Sequence, residues 1–105
     1  MGRMEKVNQQ LKREIGNVLQ REFGDPKLTL ISITHVETSK DLRNARVSFS
    51  VMGEDSDVEH AKESLAKVKG LIRKYVGKKM VLRNIPELNF VYDDSIKSSI
   101  RIENM

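Results

Sequence analysis

Hydrophobic residues recur at intervals of three and four near the start of the chain and predict an amphipathic helix. The recurring positions are Met4, Val7, Leu11, Ile15, Val18, Leu19 and Phe23. Gly24 can adopt the left-handed conformation that often ends a helix, and Pro26 prevents helical continuation. We therefore expect the first helix to end at Gly24.

Two strands are predicted next, and a turn joins them into a hairpin. Residues 28–39 are rich in Ile, Thr and Val and lack helical periodicity, which favours a strand. Residues 41–44 have the composition of a turn. Buried positions then alternate with polar residues, as in a strand with one wet face. These buried positions are Ala45, Val47, Phe49 and Val51.

A second helical stripe follows Gly53 and predicts the longest helical region of the chain. The stripe comprises Val58, Ala61, Leu65, Val68, Ile72, Tyr75 and Val76, and it ends at Gly77. The spacing of Ser56 and Glu59 matches a capping box and predicts a helix start there. Gly70 interrupts the stripe. Because a glycine within a helix costs about 1 kcal/mol, we predict two helices that meet at a kink.

These elements predict a single α+β domain. Leu88, Phe90 and Tyr92 alternate as in a third strand. The order is helix, strand, strand, helix, kink, helix, strand, which is the topology of a type II KH domain. The helices are expected to cover one face of a three-stranded sheet, because the helical connection should cross right-handed. The domain spans residues 1–105, with an ordered core over about 3–93 and a tail over 94–105.

Positive charge is concentrated in one part of the chain. The net charge is +4, yet residues 60–83 contain eight Lys or Arg and one Glu, a net charge of +7. This basic block favours a polyanionic partner, with a solvated helix face as the alternative interpretation. The candidate RNA-binding residues are Lys62, Lys67, Lys69, Gly70, Arg73, Lys74, Lys78, Lys79 and Arg83, with Arg43 and Arg46 from the hairpin. Helical spacing predicts two rows, one of Lys62, Lys69 and Arg73 and one of Lys67, Lys74 and Lys78.

Base recognition and catalysis both lack candidate residues. The five aromatic residues lie on predicted core-facing stripes, so a folded RNA shape is the expected target. The chain has no Cys, and His35 and His60 have no neighbouring ligand set or nucleophile pattern. Asp25, Asp41 and the acidic pair at 93–94 fit turns and caps. We expect no enzymatic activity, metal, cofactor or small-molecule substrate.

The start of the chain lacks the apolar run of a signal peptide. No stretch of the sequence approaches the length and hydrophobicity of a membrane span. We therefore expect a cytoplasmic protein without membrane contact, which also fits the absence of Cys.

An ordered set of short motifs resembles the ribosome-binding factor A family. The motifs are DPKL at 25–28, ITHVE at 33–37, DLRNARV at 41–47, GLIR at 70–73, LR at 82–83, PELNF at 86–90 and YDDS at 92–95. The resemblance implies a KH-like fold in which an Ala-X-Gly kink replaces the GXXG loop of most KH domains. At that position this chain has Val68, Lys69 and Gly70, with Val in place of the usual Ala.

The resemblance also implies a function. It implies a monomer that binds the free or immature 30S small ribosomal subunit, with 16S rRNA and neighbouring ribosomal proteins as partners. The implied site is near the 3′ region of 16S rRNA and the decoding neck, where a precursor conformation is held during 5′-end processing. Departure before subunit joining, GTPase-assisted release and a role in cold adaptation are further implications. The residues alone leave open a generic KH-like nucleic-acid binder and a protein-interaction adaptor with a basic face.

Overall fold

The computed structural model of the protein describes residues 2–82 and 84–94. Its elements are α1 (Arg3–Arg21), α2 (Pro26–Thr29), β1 (Ile31–Thr38), β2 (Asn44–Val51), α3 (Asp55–Lys79) and β3 (Glu87–Tyr92). The predicted α+β class and three-stranded sheet are confirmed. Apart from Asp94, the predicted tail lies outside the described residues.

The sheet has the strand order β1-β2-β3. β1 pairs antiparallel with β2, as expected for a hairpin, and β2 pairs parallel with β3. A parallel pair needs a long crossover connection, and α3 supplies it. The register of β1 shifts between Ile33 and His35, which leaves Thr34 as the additional residue of a bulge.

The hydrophobic core lies between the helices and one face of the sheet. Its deeply buried side chains include Leu11, Ile15 and Leu19 of α1, Leu65, Ile72 and Val76 of α3, and Val47, Phe49 and Leu88 of the sheet. The apolar positions of α1, of α3 and of the sheet strands therefore meet in one cluster. Burying each large apolar side chain contributes about 1.5–3 kcal/mol, and this packing holds α3 against β3.

The segment between α1 and β1 differs from the prediction. α1 ends at Arg21, and Gly24 has a φ of 61°, the left-handed conformation that was expected there. Residues 26–29 form one helical turn, whereas the predicted strand starts at residue 28. Asp25 caps this turn by accepting a hydrogen bond from the Lys27 N–H at 2.9 Å, and Pro26 has a backbone φ suited to a first helical position.

The start of α3 lies earlier in the chain than predicted. The helix begins at Asp55, and the carboxylate of Asp57 accepts a hydrogen bond from the backbone N–H of Glu54 at 2.8 Å. The cap therefore uses Glu54 and Asp57, and the predicted capping box of Ser56 and Glu59 is wrong. An acidic residue suffices here because any side-chain oxygen at this position can accept from the free N–H.

The predicted division of the long helical region into two helices is corrected by the structure. α3 runs as one helix of 25 residues through Val68, Lys69 and Gly70 and ends at Lys79, two residues after the predicted end at Gly77. A Cβ atom placed at Gly70 would meet nothing within 4 Å. Val68 packs against the core on the preceding turn. Burial of the apolar stripe on both sides of Gly70 outweighs the glycine cost of about 1 kcal/mol.

Candidate nucleic-acid interface

One side of α3 carries three lysines that point to solvent. Lys67, Lys74 and Lys78, which we call the outer row, are exposed and lie opposite the buried stripe of the helix. Within residues 2–82 and 84–94, no carboxylate forms an ion pair with any of the three. The row extends over about 16 Å at 1.5 Å per residue. It forms an unneutralised cationic edge of the domain.

The head group of Lys78 has a defined position at the end of the outer row. Its Nζ atom lies 5.4 Å from the centroid of the Tyr75 ring. Tyr75 is itself held by an edge-to-face contact with Phe23, with a centroid distance of 5.9 Å. A cation–π contact at an exposed site contributes about 0.5–1 kcal/mol. The negative end of the helix dipole also favours a cation in this last turn of α3.

A second row on the flank of α3 faces carboxylates. This inner row consists of Lys62, Lys69 and Arg73. Lys62 Nζ lies 3.4 Å from Glu59 Oε1, and 5.5 Å from the Tyr92 ring centroid. Lys69 Nζ lies 3.5 Å from Glu87 Oε1, and Arg73 Nη1 lies 3.7 Å from Glu87 Oε2. Two carboxylates therefore neutralise most of the positive charge of the inner row.

Arg73 also has a structural role. Its Nε and Nη2 atoms donate hydrogen bonds to the carbonyl oxygen of Ile85 at 3.2 and 2.7 Å. These bonds attach the segment before β3 to the flank of α3. The guanidinium is therefore fixed in orientation while its Nη1 atom faces Glu87.

The two hairpin arginines lie in different places. Arg43 lines a cleft of about 550 Å³ together with Asp41, Leu42, Arg73, Asn84, Ile85 and Glu87. Arg46 is exposed between the buried residues Ala45 and Val47, so it lies on the open face of the sheet. The structure thus brings Arg43 beside the inner row and separates Arg46 from both rows of α3.

Three more of the predicted site residues belong to α3. Lys79 is exposed at the last position of α3, and Gly70 lies on the solvent side of the helix. Val68 is half-buried against the core and is not available to a ligand. Arg83 lies outside the described residues.

A turn stabilised by Asp41 positions Arg43. Asp41 Oδ1 accepts hydrogen bonds from the Ser39 hydroxyl at 2.6 Å and from the Arg43 backbone N–H at 3.0 Å. These bonds, the Ser39 hydroxyl foremost, hold the pKa of the Asp41 carboxyl below its usual value. Leu42 has a φ of 61°, a left-handed conformation that costs a leucine about 1–2 kcal/mol. The predicted turn role of Asp41 is confirmed.

The aromatic residues belong to the core, as predicted. Phe49 is buried and makes edge-to-face contacts with Phe90 and Tyr92, with centroid distances of 6.5 and 5.8 Å. Phe23 and Tyr75 are half-buried and pack on the core cluster. Two of these rings also support lysines, Tyr75 under Lys78 and Tyr92 under Lys62. Neither this second role nor the contacts of Glu87 were predicted from the sequence.

The acidic and histidine residues show no further site in the described part of the chain. The carboxylate of Asp93 accepts a hydrogen bond from the Thr34 hydroxyl at 3.1 Å, which ties the end of β3 to the bulge of β1. His35 and His60 are exposed. Within residues 2–82 and 84–94, no three His, Asp or Glu side chains are grouped as metal ligands. No helix in that range is both apolar enough and long enough to cross a bilayer.

Fold and site together define the class of this protein as a KH-like α+β domain with a cationic helical face. The model of the family described as Ribosome-binding factor A matches residues 3–105. Ribosome-binding factor A of Acetivibrio thermocellus is 41% identical over 106 residues, which cover 100% of this chain and 86% of that relative. The chain belongs to the ribosome-binding factor A family.

Solved structures of the family share the fold. The crystal structure of ribosome-binding factor A from Thermus thermophilus matches with a TM-score of 0.76 at 25% identity, over 88% of this chain and 97% of that one. The solution NMR structure of a Thermotoga maritima homologue gives a TM-score of 0.74 at 28% identity, covering 89% of each chain. A homology model of Thermus thermophilus ribosome binding factor A, fitted into a cryo-EM map of its complex with 30S, gives a TM-score of 0.69 at 25% identity, over 83% of this chain and 91% of that one.

Proposed function

We propose that this chain is a ribosome-binding factor that binds the free or immature 30S small ribosomal subunit and assists the maturation of 16S rRNA. Membership of the ribosome-binding factor A family supports this role. A relative with the same fold has been fitted into the map of a 30S complex. The observation from the structure that carries the proposal is the outer row of α3, a line of lysines without carboxylate partners among the described residues.

The physics of the outer row favours contact with an RNA backbone. Lysine head groups that meet phosphates displace condensed counterions, and this release supplies affinity without reading the sequence. Arg43, which lines a cleft with Arg73, and Lys79, the last residue of α3, are candidates for additional phosphate contacts. The aromatic residues of the described part face the core, so none forms an exposed platform for stacked bases. The expected ligand is therefore a structured region of rRNA.

The finer role follows the family. The protein would hold a precursor conformation near the 3′ region of 16S rRNA and the decoding neck while the 5′ end is processed. It would act as a monomer in the cytoplasm, contact neighbouring ribosomal proteins, and leave before the subunits join. Dependence of growth on the protein would increase in the cold, with a GTPase assisting its release.

Sedimentation with purified subunits tests the proposal. The full chain should migrate with free 30S subunits and not with joined ribosomes. The variant Lys67→Glu, Lys74→Glu, Lys78→Glu should lose this migration, because it places three negative charges on the proposed contact. A matched control carries Lys6→Glu, Lys12→Glu and Lys27→Glu at exposed positions outside α3 and should still migrate with 30S.

Three results would oppose the proposal. The first is an absence of wild-type protein from the 30S fraction at low salt. The second is equal binding to unrelated RNA, which would indicate a generic nucleic-acid binder. The third is a complex that survives both high salt and nuclease, which would indicate a protein-interaction adaptor.

For the maturation role, a host lacking its own family member should accumulate 16S rRNA with an unprocessed 5′ end, and this chain should reverse the accumulation.

A further inference from the structure

Glu87 stands at a position where one carboxylate faces two cations of the inner row. It begins β3, and its backbone N–H donates to the carbonyl oxygen of Arg43 at 2.8 Å, so its backbone is fixed. Its two carboxylate oxygens lie 3.5 Å from Lys69 Nζ and 3.7 Å from Arg73 Nη1. The side chain is 51% exposed, so the pair of contacts is open to solvent and to ligands.

The two cations that Glu87 contacts are arranged in space so that one oxyanion can contact both. Lys69 and Arg73 are one helical turn apart on α3, which places both heads on the same flank. Arg73 is held by its bonds to Ile85, so its Nη1 atom points to the place that the carboxylate occupies. A phosphate group is the other common partner of such an arrangement, since its oxygens accept from Lys and Arg as carboxylate oxygens do.

We propose that Glu87 competes with RNA phosphates for Lys69 and Arg73, and so restricts the inner row to RNA whose shape allows it to displace the carboxylate. This inference rests on the proposed function and concerns how strongly the same interface binds RNA. An RNA that meets only the outer row binds without disturbing Glu87. An RNA that reaches the inner row must break two exposed ion pairs first.

The competition lowers the affinity of any RNA that uses the inner row, because the two ion pairs of Glu87 must be broken before phosphates can take its place. Exposed ion pairs of this kind contribute little to folding stability, so neutralising Glu87 should leave the domain folded. With the carboxylate removed, the inner row would present two additional free cations to any polyanion. General affinity for RNA would then rise.

The test compares Glu87→Gln with Glu5→Gln in the full chain. Glu5 is exposed on α1 and makes no ion pair within the described residues, so its replacement changes the net charge equally. Affinities for 30S subunits and for transfer RNA would be measured over a range of salt concentrations. For Glu87→Gln, affinity for transfer RNA should rise about three- to tenfold. Its salt slope should steepen by up to about 1.4–1.8, since about 0.7–0.9 is expected per added phosphate contact.

Affinity of the same variant for 30S subunits should not fall, because rRNA that reaches the inner row no longer has to displace Glu87. Glu5→Gln should match the wild type with both ligands. Equal behaviour of Glu87→Gln and Glu5→Gln, or weaker binding of Glu87→Gln to transfer RNA, would overturn the inference. The proposed function would stand in either case, provided that the wild type migrates with 30S subunits.

A second variant controls for an indirect effect on folding. Lys69→Met should change transfer RNA binding little in the wild type, where Glu87 neutralises this lysine. In the Glu87→Gln background the same substitution should lower affinity and remove part of the gain. If Lys69→Met has the same effect in both backgrounds, the two residues do not compete through their ion pair and the inference is wrong.

Discussion

Asn8 of α1 accepts a hydrogen bond at its Oδ1 atom from the backbone N–H of Thr38 at 3.0 Å. Thr38 is the last residue of β1, which lies at an edge of the sheet, and it is buried. A buried N–H at a sheet edge has no neighbouring strand to accept from it, so a side chain must do so. This bond fixes the first turns of α1 against the sheet.

Replacement of Asn8 by Ala should therefore destabilise the domain. Leaving the Thr38 N–H without a partner costs about 1–3 kcal/mol, and alanine returns a few tenths through its helix propensity. Asn17→Ala is the matched control, since Asn17 is exposed on the same helix and gains the same propensity. Urea unfolding should show a lower free energy of unfolding for Asn8→Ala than for Asn17→Ala. Equal values would show that the hydrogen bond contributes nothing.

Two glycines of α3 should respond differently to alanine. At Gly70 an added Cβ meets open space, and the helix is continuous there. Gly70→Ala should raise the free energy of unfolding by about 0.5–1 kcal/mol. At Gly77 an added Cβ would lie 3.2 Å from Ile85 Cγ1, so Gly77→Ala should gain less or destabilise. Thermal and urea unfolding of both variants test this. Destabilisation by Gly70→Ala would contradict an uninterrupted helix.

The hairpin turn should depend on pH through Asp41. Its carboxyl has a lowered pKa because it accepts from the Ser39 hydroxyl and from the Arg43 N–H. A lowered pKa in the folded state stabilises the fold above the ordinary carboxyl pKa of about 3.9, and this stabilisation is lost as the pH falls through the lower folded value.

The comparison of wild type with Asp41→Ala measures this dependence. The wild type should be more stable at neutral pH, and the difference should shrink as the pH is lowered below the ordinary carboxyl range. A difference for Asp41→Ala that is constant across the acid range would contradict the lowered pKa.

The parts of this fold that the sequence predicts are those set by local periodicity. Leu11, Ile15 and Leu19 repeat with the helix, and Val47 and Phe49 alternate with the strand, so their burial could be predicted directly. These signals predict the layers and the sheet because each depends on neighbours within a few residues.

The errors arise where a local signal has two meanings or where distant contacts decide. Pro26 indicates the end of α1, yet it also suits the first position of a new helical turn. Gly70 indicates a break, yet packing on both sides carries the helix through it. The same limit applies to the interface, because the pairing of Lys69 with Glu87 joins α3 to β3 and has no signature in the sequence.

The division of the basic block into two rows changes which residues we propose as the RNA contact. Charge reversal at Lys69 or Arg73 would disturb Glu87, and at Arg73 it would also remove the bonds to Ile85. The outer row has no such contacts to described residues, except that Lys78 lies over Tyr75. Substitutions there report on RNA contact with little effect on folding.

The salt dependence of 30S binding tests the central claim most directly. The measurement compares the wild type, the variant Lys67→Gln, Lys74→Gln, Lys78→Gln, and a control with Lys6→Gln, Lys12→Gln, Lys27→Gln. If the outer row neutralises three rRNA phosphates, its replacement should reduce the slope of log affinity against log salt by about 2–3, and the control should keep the wild-type slope. An unchanged slope for the outer-row variant, or an equal reduction in the control, would contradict the account.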